Sequence, residues 1–400
     1  MQQRNKKTSL KTPVEAQPDE MRQGFGWFAH MRANYPVVYD EQGGSWNVFC
    51  YEDVYQIITD PTTFSSENVP NFSHNTFLRE TIVALDPPAH RRLRYLANQA
   101  FTRAAITRIA NNAIPLTQTL FDQMREQKEI EVVSDFAFPL TMRAIAVMLS
   151  VPEQDWHLVS NWAKGTDADT PPRTRQESIE AQNRMGQQIY AYFTDLLAER
   201  RREPREDLLS DLVTAEVNGD RLTDDEILKF CVLLVVAGQE TVQNLLVNSL
   251  YCFTRFPSSL DYLMQHHESI PSALEEVLRY LPSFWISVRR TTTDTVLRGQ
   301  SIPANTIVQA WNASANRDSA YFSNPDHFDI LRDPNRHLTF GHGIHFCVGA
   351  PLARLEARII FSMMFNQFKS IQRMSNDSLN MGSGPIYHID ALSLRFDARD

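Results

Sequence analysis

Several features that would fix a protein's class at once are scarce in this 400-residue chain. Its four cysteines, Cys50, Cys231, Cys252 and Cys347, lie far apart with no CxxC pair, which argues against a disulfide framework or a zinc ribbon. No G-x-G-x-x-G fingerprint follows a strand, so the chain has no flavin or nicotinamide site of its own. Blocks of like charge are missing too. With a net charge of -9 and no run of Lys and Arg to offset it, nucleic acid is not an expected partner. The densest charge run, ERRREPRE at 199–206, mixes signs and reads as a solvated loop. The apolar run CVLLVVA at 231–237 is too short to span a bilayer. Residues 1–20 hold no apolar run of signal-peptide length and read as a mobile tail. Residues 21–400 show no repeat or obvious linker, and 42% hydrophobic content can fill a large core. One domain is expected, in a monomeric cytoplasmic protein without a membrane span.

What the chain does have is helical periodicity. Strand signals are confined to 36–51, where two glycines separate alternating runs, and to 295–311. The fold class is therefore mainly α with a minor β portion. Asp86 before Pro87 predicts a helix start, and Thr223–Glu226 and Ser272–Glu275 both fit a capping box. The first box opens a pattern running to about Phe253, roughly 45 Å of helix. Its apolar middle marks it as central and buried.

The stretch 340–356, FGHGIHFCVGAPLARLE, crowds two histidines and Cys347 among glycines. A lone cysteine is ordinarily a small buried hydrophobe. Here Pro351 predicts a helix with a stripe of Leu352, Leu355, Ile359 and Met363, so Cys347 sits just before a helix N-terminus, where a thiolate is favoured. Gly341, Gly343 and Gly349 let the backbone curl close to a flat ligand, and Phe340 offers an aromatic face. A non-haem metal site of His342, His345 and Cys347 has no standard spacing and lacks a fourth ligand nearby. Elsewhere, His90 and Arg94 share one helix face, ready to grip an anion. Glu276 and Arg279 form an i,i+3 pair that would be ordinary on a surface. Glu240 beside Thr241 in the apolar long helix is harder to dismiss, because an unpaired buried carboxylate is costly.

FGHGIHFCVGAPLARLE resembles the haem-binding loop of the cytochrome P-450 enzymes, in the F-G-x-G-x-H-x-C-x-G form of soluble bacterial members. The resemblance implies haem b with Cys347 as axial thiolate, Phe340, Gly341 and Gly349 against the haem, and His345 on a propionate. It extends to LDPPAHRRLRYLANQAF, which implies propionate contacts from His90 and Arg94, and to RRTTTD, which implies another from Arg289, with Arg290 one residue away. Glu276-Val-Leu-Arg279 fits the E-x-x-R pair, joined in the family by an arginine, here Arg332, in a structural lock on the loop. Ala237-Gly238-Gln-Glu240-Thr241 resembles the oxygen-activation motif, implying a local opening of the long helix and proton delivery by Thr241 and Glu240. Members driven by peroxide tend to carry arginine and proline there instead.

The implied activity is a monooxygenase that puts one oxygen atom of O2 into a C–H bond of a hydrophobic molecule of fatty acid, terpenoid, steroid or polyketide class. Electrons would come from a ferredoxin or flavodoxin with its NAD(P)H reductase, docking on Arg91, Arg92, Arg354 and Arg358. By position, substrate contacts are expected from Phe72, Phe77, Val83, Leu234, Phe284, Trp285, Ile286 and Tyr387. Arg79 or His74 are candidates for holding a substrate carboxylate.

Overall fold

The computed structural model describes residues 21–69, 77–163, 175–374 and 388–399. Phe72, His74 and Tyr387 lie outside them. Thr223 caps helix Asp224–Arg255 as expected: its hydroxyl accepts from the Glu226 N–H, and the Glu226 carboxylate accepts from the Thr223 N–H at 2.9 Å. Around this helix stand helices 89–100, 103–127, 138–148, 175–202, 270–280 and 350–367. By length and composition it could cross a membrane, but here it is a core helix with over half of its apolar window buried.

Its two halves serve different cores. Ile227 to Val235 pack with Leu93, Ile109, Ile145, Phe193 and Leu212. Leu245 to Phe253 pack with Phe121, Phe136, Val277, Phe361 and Phe396. Between them, Ala237 is exposed and Gly238 and Glu240 to Gln243 are half-buried. The helix stays apolar where it meets neighbours and turns polar at mid-length.

The 36–51 signal forms a hairpin, Val37–Asp40 against Ser45–Val48, with Gly44 at φ +61 in its turn. The 295–311 signal holds three strands rather than one pair. Thr295–Leu297 and Gln300–Ile302 make a small ribbon, while Ile307–Trp311 pairs parallel with Ser45–Val48 and antiparallel with Ile286–Thr291.

Two expected helix starts shift. The helix after Pro87 begins at Ala89, because the Asp86 carboxylate is engaged by the Ser65 hydroxyl at 2.5 Å and the Ser66 N–H at 3.2 Å. The helix bearing Glu276 begins at Ile270 with Pro271 in its first turn, and Ser272 donates back to the Ser269 carbonyl at 2.9 Å instead of capping. Pro351 does lie in the first turn of Ala350–Gln367, but the buried face is Ala353, Glu356, Ala357, Ile360 and Met364. Of the expected stripe, Leu352 is buried, whereas Leu355, Ile359 and Met363 are half-buried at its margin.

Candidate haem-thiolate site

The loop before helix 350–367 is set by its hydrogen bonds. The Cys347 N–H donates to the Phe340 carbonyl at 2.9 Å, closing a hairpin-like turn. Gly341 and Gly343 both sit at φ +69, the left-handed region that favours glycine. Gly343 is also pressed against the backbone of Ile58 and Thr59, where a Cβ would come within 3.3 Å. Gly349 has an ordinary φ, and its missing side chain leaves the space beside the Cys347 sulfur clear. The Cys347 side chain is exposed, unlike the other three cysteines, yet protein surrounds it on the wider scale, so it opens inward. Burial raises its pKa, while the N–H groups of Gly349 and Ala350 and the charge of Arg94 oppose the rise. A sulfur so placed suits a bound metal that would hold it ionised. Phe340 is half-buried with the Arg354 guanidinium 4.5 Å over its ring. One of its faces therefore serves that cation.

Near the Cys347 loop, three basic side chains, Arg289, Arg94 and His90, form no ion pair with a carboxylate among the described residues. Arg289 points inward; burial lowers its pKa to about 10, and it donates to the Val288 carbonyl at 2.9 Å. Arg290, next along the strand, points away to Asn305 Oδ1 at 2.8 Å. Arg94 is half-buried, its pKa also lowered by burial, with the Cys347 charge opposing. His90 is buried, its Nε2 has no partner, and burial with His345 and Arg94 nearby depresses its pKa to about 4. A buried unpartnered donor beside two enclosed guanidinium groups fits a group with carboxylates of its own. With an inward-facing thiol close by, the donor set fits haem b.

His345 is half-buried beside this group. Its Nδ1 lies 3.1 Å from the Ile82 carbonyl and its Nε2 3.0 Å from the Ser66 hydroxyl. A neutral ring donating to that carbonyl accepts from Ser66. The ring packs on His90, centroids 4.4 Å apart. His342 lies against Tyr55, and no cluster of His, Cys, Asp or Glu suited to a metal ion occurs among the described residues.

The Thr241 hydroxyl donates to the Ala237 carbonyl at 2.8 Å, and the helix continues unbroken through this turn. The expected local opening is absent, because the hydroxyl is accommodated on the helix's own carbonyl. The missing Cβ of Gly238 faces Ile145, whose Cδ1 would lie 2.8 Å away. Close packing of the two helices leaves no room for a side chain on that face of Gly238. Burial raises the Glu240 pKa, and His388 opposes the rise.

The lock is present as expected. Glu276 and Arg279 are wholly buried and paired at 2.8 Å, and Arg332 reaches Glu276 at 3.1 Å. The Glu276 carboxylate also accepts from the Asp329 N–H and Asn335 Nδ2. Beside it stands a pair the sequence reading missed. Glu275 takes both Arg354 nitrogens at 2.6 and 2.7 Å and His337 at 3.0 Å. Burial pushes its pKa up, but these partners outweigh it and leave about 2. Other residues missed are Asn244, one turn beyond Thr241, whose side-chain N and O are buried without partners, and Glu356, which burial pushes up to about 7.

Some expected substrate contacts have other tasks. Trp285 is core, donating to the Pro282 carbonyl and packing edge-on to Phe28. Leu234 is buried within the cluster around the first half of the long helix. Phe77 lies over Gly186 and beside Tyr190. Val83, Phe284 and Ile286 remain half-buried, and Arg79 is an exposed residue near Glu80.

An inward-facing cysteine, unpaired buried cations and a long helix with a polar middle define a haem-thiolate protein. Comparisons agree. The cytochrome P450 family model matches residues 19–270 and 263–383. The chain is 36% identical over 356 residues to cytochrome P450 109 of Bacillus spizizenii, covering 88% of this chain and 86% of that one. It is 35% identical over 349 residues to the erythromycin C-12 hydroxylase of Saccharopolyspora erythraea, covering 86% of each. Among solved structures, CYP109E1 of Bacillus megaterium in complex with testosterone superposes with a TM-score of 0.84 at 32% identity, covering 93% of this chain and 98% of that one. The chain belongs to the cytochrome P450 family. It is a haem b monooxygenase that inserts one oxygen atom of O2 into a C–H bond of a hydrophobic small molecule, with electrons from a separate redox partner.

Proposed function

We propose that Cys347 is the axial haem ligand, that His90, Arg94 and Arg289 hold the haem carboxylates, and that Glu240 and Thr241 deliver protons. When bound, haem supplies an iron at which O2 is reduced and split, with the thiolate favouring O–O cleavage. The chain's own residues do the rest. Glu240, whose pKa burial raises, keeps its proton to higher pH than a free carboxyl, which suits a proton donor. The Thr241 hydroxyl both accepts and donates, so by turning off the Ala237 carbonyl it passes that proton toward the face Ala237 leaves open. The carrying observation is the polar mid-length of the long helix, set between two apolar clusters. Thr241→Ala is expected to leave substrate affinity within about twofold and cut product formed per electron consumed roughly tenfold, with peroxide released instead. Unchanged coupling in that variant contradicts the role.

For substrate we propose a steroid, terpenoid, polyketide or fatty acid. The relatives named above, one a hydroxylase of erythromycin and one crystallised with testosterone, support bulky apolar compounds, and the half-buried Val83, Phe284 and Ile286 suit them. Titrating such a panel against the haem spin state, read by absorbance, ranks them; no spin shift across the panel contradicts the class. Electrons come from a ferredoxin or flavodoxin with its NAD(P)H reductase in this reading. Arg91 and Arg358 are exposed and available for docking. Arg92 is taken by Asp220 and Glu226, and Arg354 by Glu275, so the four-arginine patch narrows to two. We place the protein in the cytoplasm as a monomer, with residues 21–400 acting as one domain.

A further inference from the structure

His388 stands against the middle of the long helix, in the segment that leads into strand Ser393–Ala398. Its Nε2 is 3.0 Å from Asp390 Oδ1, and its Nδ1 is 3.7 Å from Glu240 Oε1. That Nδ1 is buried and has no hydrogen-bond partner. The segment is firmly anchored. Ile389 and Leu392 are buried in the core, the Leu392 N–H donates to the Glu131 carboxylate at 2.8 Å, and its carbonyl accepts from the Val132 N–H at 2.9 Å. The imidazole is thus held with one nitrogen toward a half-exposed carboxylate and the other toward Glu240. Among the described residues, Glu240 on the long helix and Asp390 on its own segment are the charged groups facing it.

We propose that His388 positions Glu240 and resupplies it with protons from solvent, with Asp390 as the outer partner. The inference rests on reading Glu240 as the proton donor to the site. A carboxyl that gives a proton inward must regain one in every turnover, and imidazole is the side chain that binds and releases protons near neutral pH. In one round the imidazolium, its Nε2–H donated to the Asp390 carboxylate, releases its Nδ1 proton to the Glu240 carboxylate, restoring the acid and leaving a neutral ring. A half-turn of the ring then brings the bare nitrogen to the solvent-open side, where it takes up the next proton; one proton enters and one leaves, with no change in electron count. The 3.7 Å gap is too long for a direct hydrogen bond; one bridging water or a slight turn of either side chain closes it. A plain ion pair would bring the two atoms into contact and leave no buried nitrogen waiting.

The test uses the haem-loaded enzyme in steady state with a substrate found by spin-state titration, comparing wild type with His388→Gln, His388→Ala and Glu240→Gln. Both His388 variants should lower kcat roughly tenfold and raise its solvent isotope effect about twofold, with KM and the substrate dissociation constant unchanged. Independently of turnover, the nitrogen-15 resonances of the His388 ring in histidine-labelled protein should change in Glu240→Gln and in Asp390→Asn, because both carboxylates face that ring. If Glu240→Gln slows turnover while both His388 variants keep wild-type kcat and isotope effect, the His388 role is overturned and the Glu240 reading survives. If Glu240→Gln itself turns over normally, the reading beneath the proposal fails with it. His388 ring resonances unchanged by either carboxylate variant also overturn the relay.

Discussion

Arg289 and Arg290 are neighbours in sequence, and strand geometry sends them to opposite faces. Arg289 turns inward beside His345, and Arg290 outward to Asn305. Replacing Arg289 by Ala should therefore speed haem transfer to an acceptor globin about tenfold, the cost of one charge-assisted contact, whereas Arg290→Ala leaves the rate near wild type. Glu356 gives a pH test. Burial raises its pKa from 4.5 to about 7, so its neutral form is the one the fold accommodates. That accommodation is complete below about pH 4.5 and is lost as pH rises through 7, because the unfolded chain then releases a proton the folded chain retains. Glu356→Gln should raise the unfolding midpoint relative to wild type at pH 8 and much less at pH 5, with the gap opening between those values; a constant gap would deny the burial penalty. Residues that carry motifs were legible in the sequence, while those whose role is set by who surrounds them were not. His388 illustrates this: it sits in PIYHID, where sequence reasoning chose the bulky Tyr387, because nothing in the string reveals a glutamate about 150 positions earlier.

At the scale of elements, local chemistry predicted starts well where a cap has no competitor. The Thr223 box formed with both reciprocal hydrogen bonds, whereas Asp86 and Ser272 were diverted to Ser65 and Ser269. The E-x-x-R pair could be seen, but not its full set of partners, since Arg279 is satisfied by the carbonyls of Asn316, Pro325 and His327 from a distant loop. Removing Glu276 leaves two arginines in the interior without their anion. Glu276→Ala should cost about 3–5 kcal/mol and give largely insoluble or haem-free protein. Helix packing offers a gentler test. Gly238→Ala forces a methyl toward Ile145 Cδ1 and should destabilise by about 1–3 kcal/mol. Ile145→Val removes that atom, so the double variant should recover much of the loss in denaturant unfolding. Simple additivity of the two changes would mean the helices do not meet there.

For the molecule as a whole, the sequence reading obtained the fold class, the long helix and the cysteine loop. Those features are written in periodicity and fixed spacing. On the substrate side, an apolar residue fated for the core looks in sequence like one fated for a pocket, and Trp285 and Leu234 are buried. The sequence reading also counted arginines as free charge when Arg92 and Arg354 are neutralised across elements. The account joins the Cys347 loop, the unpaired cations and the polar mid-helix turn into one haem-thiolate site, so the absorption spectrum of the reduced protein under CO tests it most directly. A Soret band at the position characteristic of thiolate-ligated haem in wild type, lost in Cys347→Ala, is the expected result. A wild-type protein that binds no haem, or whose thiolate band survives in Cys347→Ala, would contradict it.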